Sequence, residues 1–149
     1  MVEKRVYGPF PHRASSSMRR ADLEFFGINH FRPSYVANVY FNDPDVDETT
    51  DSPERATFAG RFTIFGHESC LGDEGHCEVD HEPPRRFDDR PSHMLTRAFK
   101  RVRVTDALRG CLDDPDLTIT VIATTHPSAA TDLDGPLLDV EGVQLATFD

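Results

Sequence analysis

Histidine and cysteine side chains are concentrated in one stretch of the chain, residues 61–93. This stretch holds four of the seven histidines and two of the three cysteines. Thiolate and imidazole are the ligands that zinc and copper prefer, so their density here predicts a metal site. The candidate ligands for copper or zinc are His67, Cys70, His76, Cys77 and His81.

The spacing of these ligands also allows a structural explanation. The stretch contains no CxxC pair of the kind that usually forms half of a zinc site. Six residues separate Cys70 from Cys77, a loop length that lets two cysteines reach disulfide distance and leaves Cys111 as the third thiol. Metal ligation and a disulfide are mutually exclusive uses of the pair. The spacing favours the disulfide, and the metal site is the alternative.

Length and charge restrict the class of protein. The 149 residues are the size of one ordinary domain. A net charge of −10 argues against nucleic acid and anionic membranes as partners, because both carry negative charge themselves. The chain has no apolar run of signal-peptide or membrane-spanning length, so we expect a cytoplasmic protein, with export as part of a complex as the alternative.

Apolar residues alternate with polar ones in several short segments, which is the period of a half-buried strand. The alternation predicts an all-β fold, an antiparallel β-sandwich of about six to eight strands with one short helix and a long loop that carries the histidines and cysteines. The helix is expected to follow a cap at Thr105 and Asp106. Residues 1–21 have neither hydrophobic period and are predicted to form a flexible arm, and residues 22–149 a single sandwich domain. The predicted strands cover residues 23–28, 34–42, 57–65, 99–104, 117–124 and 137–148.

An acidic loop between two of these strands invites a test for calcium binding. Its carboxylates fall at alternate positions of an EF-hand-like count. The position that needs glycine for the sharp turn is Glu48, and the flanking segments are strands, so the pattern favours an acidic surface loop over a calcium site. The carboxylates concerned are Asp43, Asp45, Asp47, Asp51 and Glu54.

Four segments taken in order resemble a known family. The runs are VYFNDPDVD, FAGRFTIFGH, VRVTDALRGCL and the closing QLATFD. Together they are similar to the C-terminal β-sandwich domain of tyrosinase-like proteins, the type-3 copper group that includes polyphenol oxidases and haemocyanins. The likeness covers residues 22–149. In that group a separate helical domain holds the paired copper ions through two sets of three histidines, and no catalytic residue carries over to this chain.

The resemblance implies a non-catalytic accessory or regulatory module that covers or assists a tyrosinase-like copper domain. Its partner would be that helical copper-binding domain or subunit. This hypothesis predicts that the purified protein does not oxidise phenols on its own, and that a contiguous apolar patch is exposed on one face or edge of the sandwich. The alternative is a small self-contained copper- or zinc-binding protein that uses the loop between His67 and His81.

Overall fold

A computed structural model describes residues 1–67, 96–129 and 135–149 of the chain. Strands dominate these residues, with one helical turn between the fifth and sixth strands. The elements are β1 (Val2–Pro11), β2 (Arg20–Ile28), β3 (Tyr35–Phe41), β4 (Phe58–Ile64), β5 (Ala98–Arg103), α1 (Thr105–Arg109), β6 (Asp116–Thr125) and β7 (Gly142–Phe148).

The strands form two antiparallel sheets. A four-stranded sheet has the order β1-β6-β3-β4, and a three-stranded sheet has the order β5-β2-β7. One continuous core lies between them, because both sheets turn their apolar positions inward. Leu23 and Phe25 of β2 are fully buried, and the Phe25 ring packs on Phe62 of β4 with the centroids 4.6 Å apart. The predicted all-β antiparallel sandwich with one short helix is therefore confirmed.

The N-terminal segment differs from the predicted flexible arm. Residues Val2–Pro11 form β1, which pairs along its length with β6 at the edge of the four-stranded sheet. The inward positions of β1 include Glu3 and Arg5, which form a salt bridge at 3.2 Å. Because these core-side positions are charged, β1 lacks the apolar alternation that marks a strand in sequence. Cross-strand hydrogen bonding, which the local pattern does not reveal, decides its structure.

The short helix has a different beginning from the predicted one. Val104 occupies the N-cap position, and no side chain caps the helix. The Thr105 hydroxyl instead accepts a hydrogen bond of 3.0 Å from the backbone N–H of Ala21. Thr105 thus ties the helix to the start of β2. Leu108 is fully buried and anchors the helix on the core.

The acidic loop between β3 and β4 covers part of the outer face of the four-stranded sheet. Val46 of this loop is buried against Tyr40 and Ile122, and Phe58 packs beside them. The loop is therefore an ordered cover with its own small apolar cluster. In the described part of the chain, no helix is long and apolar enough to cross a membrane.

Candidate functional site

The outer face of the three-stranded sheet carries an unusual set of side chains. Ala21, Leu23 and Phe25 of β2 face the core, so the intervening residues of this strand point outward. Register brings residues of β5 and β7 beside them. Asp22 lies between Arg103 and Ala146, and Glu24 lies between Arg101 and Gln144.

Arginine side chains cover the two acidic residues of this face. Asp22 is 0% exposed, and among the described residues arginine side chains lie against its carboxylate. The Arg20 guanidinium approaches Asp22 at 2.5 Å, and that of Arg101 lies 3.7 Å from the same carboxylate. Arg101 also donates to Glu24 at 2.8 Å. Both carboxylates are therefore neutralised by arginines that stay about half-exposed.

The electrostatic effect is clearest at Asp22. The hydrogen bond from Arg20 lowers the pKa of this carboxyl below its ordinary value, against the opposing effect of burial. The positive charges of Arg101 and Arg103 act in the same direction. Asp22 consequently stays ionised and holds the arginines in place.

Phenylalanines lie at both ends of the row of arginines. Phe26 and Phe99 are 37% and 46% exposed, and their ring centroids are 5.2 Å apart. The Arg101 guanidinium lies 5.6 Å from the centroid of Phe99. At the other end, Arg20 lies 5.5 Å from the ring of Phe148. Arg20 and Arg101 are thus each held between a carboxylate and an aromatic ring.

We call this surface the arginine–aromatic face. Three arginines against two carboxylates give it a charge of +1, in a chain whose net charge is −10. The ordered guanidinium groups offer hydrogen-bond donors, and the rings offer apolar area, so the face suits an acidic surface with apolar contacts. Its members are Arg20, Phe26, Phe99, Arg101, Arg103 and Phe148.

Of the five candidate metal ligands, His67 is the one within the described residues; Cys70, His76, Cys77 and His81 lie outside them. The backbone N–H of His67 donates to the carbonyl of His30 at 2.7 Å, and the two rings are 5.0 Å apart. His30 Nε2 is itself hydrogen-bonded to the carbonyl of Thr96 at 2.8 Å. Within residues 1–67, 96–129 and 135–149, no three His, Cys, Asp or Glu side chains are grouped to hold a metal.

The predicted disulfide between Cys70 and Cys77, the alternative to metal ligation, also falls outside the described residues. Cys111 is a free thiol, and burial followed by the nearby charge of Asp114 raises its pKa. Copper or zinc ligation and the disulfide both stay predictions from the sequence.

The acidic loop uses its carboxylates for internal hydrogen bonds. Asp43 binds Arg55 in two places, at 2.5 and 3.2 Å, and accepts from the Thr57 hydroxyl at 2.6 Å. Asp51 accepts from Asn38 at 2.8 Å and from the Tyr40 hydroxyl at 2.5 Å. These hydrogen bonds hold the loop on the sheet.

The sequence contained a signal for the arginine–aromatic face that the strand assignment missed. In the run RADLEFF, charged residues or Phe alternate with apolar ones, and in FKRVR the residues Phe99, Arg101 and Arg103 alternate with Lys100 and Val102. The predicted strand begins at Leu23, which places Arg20 in the predicted arm and Asp22 before the strand, so the prediction does not include their pairing with β5 and β7. Register across three strands, which no single segment contains, creates the face.

No family model matches the chain, and no curated protein matches it. The likeness to tyrosinase-like C-terminal domains consequently rests on the four segments quoted above.

Proposed function

We propose that this protein is a non-catalytic module that docks onto another protein through its arginine–aromatic face. The observation that carries the proposal is a cluster of arginines and exposed phenylalanines around two neutralised carboxylates, on an otherwise acidic molecule. Arginine and aromatic residues are the types most enriched where protein surfaces meet.

The arrangement of the arginines favours binding in a second way. Association normally costs the freedom of each long side chain that becomes ordered, about 0.5–1.5 kcal/mol per chain. Arg20 and Arg101 are already held by Asp22 and Glu24 in the unbound protein. Their guanidinium groups still have N–H donors that can bind a partner. Part of the side-chain entropy is therefore lost on folding, and docking loses correspondingly less.

The partner that the family resemblance suggests is the helical copper-binding domain of a tyrosinase-like oxidase. The module would cover or assist that domain, and the chemistry would belong to the copper domain. The face adds a requirement: the docking site on the copper domain must be acidic and must offer apolar side chains to Phe26 and Phe99.

A photo-crosslinking experiment tests docking and partner together. The crosslinking analogue benzoylphenylalanine replaces Phe99 in one variant and Phe65 in another, and each is exposed to extract from the native source. Phe65 is 76% exposed and lies outside the face, so it controls for mere exposure. We expect a copper-containing partner to crosslink from position 99 and not from position 65. Equal products from both positions, or a partner that holds no copper, would refute the accessory function.

Affinity measurements with the identified partner then test the role of each side chain. Arg101→Glu and Phe99→Ala are expected to weaken binding at least tenfold, and Phe65→Ala and Arg13→Glu to leave it unchanged. Added salt should weaken binding, because exposed charges are screened over about 10 Å at 0.1 M. Binding that ignores both salt and Arg101→Glu would show that another surface is used.

A further inference from the structure

The two sheets have four edge strands in the described part of the chain, and three of these carry features that discourage pairing with another strand. β1 contains charged residues, two prolines and a register shift near Tyr7. β4 contains Arg61 and a shift in its pairing with β3. β5 contains Lys100, Arg101 and Arg103. Charges, prolines and bulges of this kind are the usual protection of sheet edges.

The fourth edge strand, β7, has none of these features. Its sequence GVQLATF carries no charge and no proline. Its register with β2 runs without a shift from Phe148 to Gly142, and β2 is the strand that β7 pairs with among the described residues. An uncharged, regular edge strand is a ready template for another strand.

An apolar cleft of about 320 Å³ lies along this edge. One wall is Val143, Gln144 and Leu145 of β7, and the other comes from the facing sheet. The volume falls at the lower end of the range for ligand pockets and is large enough for a few side chains. The residues of the facing wall are Phe10, Pro11, His12, Leu117 and Ile119.

The cleft exists because the sheets differ in width. The four-stranded sheet ends in β6 and β1, whose residues face β7 across the cleft. The three-stranded sheet stops at β7 and supplies no strand beyond it in the described residues. One added strand beside β7 would lie opposite β1 and give both layers four strands.

We propose that β7 binds an extended peptide segment of another protein as a fourth strand of its sheet. Backbone hydrogen bonds to the open edge would supply affinity. Side chains at alternate positions would enter the cleft, so the segment needs apolar residues at every second position. A second copy of this chain fits poorly, because its own four-stranded sheet would have to occupy the space that β1 already fills.

His12 gives the cleft a polar contact. Its Nδ1 accepts a hydrogen bond of 3.4 Å from the backbone N–H of Ala14, which leaves the ring proton on Nε2. That Nε2 atom is buried and has no hydrogen-bond partner among the residues that the structure describes, although the ring lines the cleft. A buried donor without a partner is costly, and a carbonyl or hydroxyl oxygen of the bound segment would remove that cost.

Hydrogen exchange with model peptides tests this inference. The probes are capped heptapeptides that alternate valine or leucine with threonine, and the control replaces the central residue by proline, which breaks a strand. We expect saturating probe to slow exchange of β7 amides at least tenfold and to shift the NMR signals of residues 10–12. The proline control should do neither. Unchanged exchange in β7, or equal protection of β5, would overturn the proposal.

Variants of β7 and of Phe99 compare this edge with the docking face, which Gln144 borders beside Glu24. Gln144 and Thr147 are exposed, so the double change Gln144→Lys with Thr147→Lys should leave the fold intact while placing charges on the edge. We expect it to weaken probe binding at least tenfold, whereas Phe99→Ala should leave probe binding unchanged. Protection of β7 that arises without peptide and grows with protein concentration in parallel with dimer formation would assign the edge to a second copy and refute a peptide partner.

Discussion

The two outer faces of the sandwich both carry carboxylates bound by neighbouring side chains but cover them differently. On the four-stranded sheet, the acidic loop folds over the face: Asp51 binds Tyr40, and Val46 seals the apolar residues beneath. On the three-stranded sheet, the groups that cover Asp22 and Glu24 within the described part of the chain are the side chains of Arg20 and Arg101.

This difference indicates that the face of the four-stranded sheet serves stability, whereas the face of the three-stranded sheet stays accessible to other molecules. Where the chain itself covers a face, its polar groups find partners within the fold and its apolar area is withdrawn from solvent. Where arginine side chains lie over the carboxylates, the arginines and the nearby rings keep exposed surface that another molecule can contact. The comparison therefore predicts large stability effects on the loop-covered face and large binding effects on the arginine–aromatic face.

The largest stability effect is expected for Tyr40→Ala. The Tyr40 side chain is fully buried, and its removal leaves a cavity under the loop. Comparable truncations of large aromatic residues cost about 3–5 kcal/mol. Urea unfolding followed by circular dichroism measures the loss.

Tyr40→Phe serves as the control for this change, because it keeps the ring and removes the hydroxyl bound to Asp51. We expect it to cost about 1.5–3 kcal/mol, the usual value for one hydrogen bond to a charged group. Equal losses from both changes would show that the hydroxyl, and not the apolar cluster, holds the loop.

Asp22→Ala is expected to have the next largest effect. It removes a carboxylate that two arginines bind, but both arginines are 40–48% exposed and can be hydrated again. We therefore expect a loss of about 2 kcal/mol in the free energy of unfolding, less than for a fully buried ion pair. Asp106→Ala, at an exposed carboxylate with an Arg109 contact, is the matched control and should change the free energy little. If Asp22→Ala left the free energy of unfolding unchanged, the cost of burying the carboxylate would equal the stabilisation from its contacts with the arginines.

Acid should destabilise both faces through the same chemistry. Hydrogen bonds from Arg20 and from Arg55 with Thr57 lower the pKa values of Asp22 and Asp43. A carboxyl whose pKa is lowered by folding stabilises the protein fully above its unfolded pKa, about 3.9. That contribution is lost as the pH falls through the lower folded pKa.

We therefore expect the free energy of unfolding to fall as the pH decreases below about 4. Asp43→Asn should cost about 1–2 kcal/mol at neutral pH and make the acid loss smaller. Asp45→Asn, at an exposed position of the same loop, is the matched control. Urea unfolding between pH 5 and 2.5 measures both. Identical acid profiles for Asp43→Asn and the unchanged protein would contradict a stabilising role for ionised Asp43.

The sandwich could be predicted from the sequence because its central strands alternate. β3 and β6 have apolar residues facing the core in regular order, and both were predicted within two residues of their ends. β1 could not be predicted this way, since the charges of Glu3 and Arg5 interrupt the pattern and a strand that is far away in sequence holds it. Long-range pairing has no local signal.

The candidate site was less accessible to sequence reasoning. Histidine and cysteine side chains predict metal binding or a disulfide from their type alone, whereas the arginine–aromatic face consists of residue types that are common on any surface. Its character depends on β2 pairing with both neighbours, so that Arg101 of β5 lies beside Glu24 and Phe148 of β7 lies beside Arg20. Only the register of three strands shows that Asp22 lies beneath arginines and not in solvent.

The smallest stability effect is expected for Phe99→Ala, and it is the most informative about the difference between the faces. The Phe99 ring is 46% exposed and meets Phe26 across neighbouring strands, a type of contact that contributes about 0.2–1 kcal/mol. We expect a loss below about 1 kcal/mol in urea unfolding, together with the loss of partner binding argued above. A loss of stability from Phe99→Ala as large as that from Tyr40→Ala would contradict this. The Phe99 ring would then stabilise the fold, and the arginine–aromatic face would not be a docking surface.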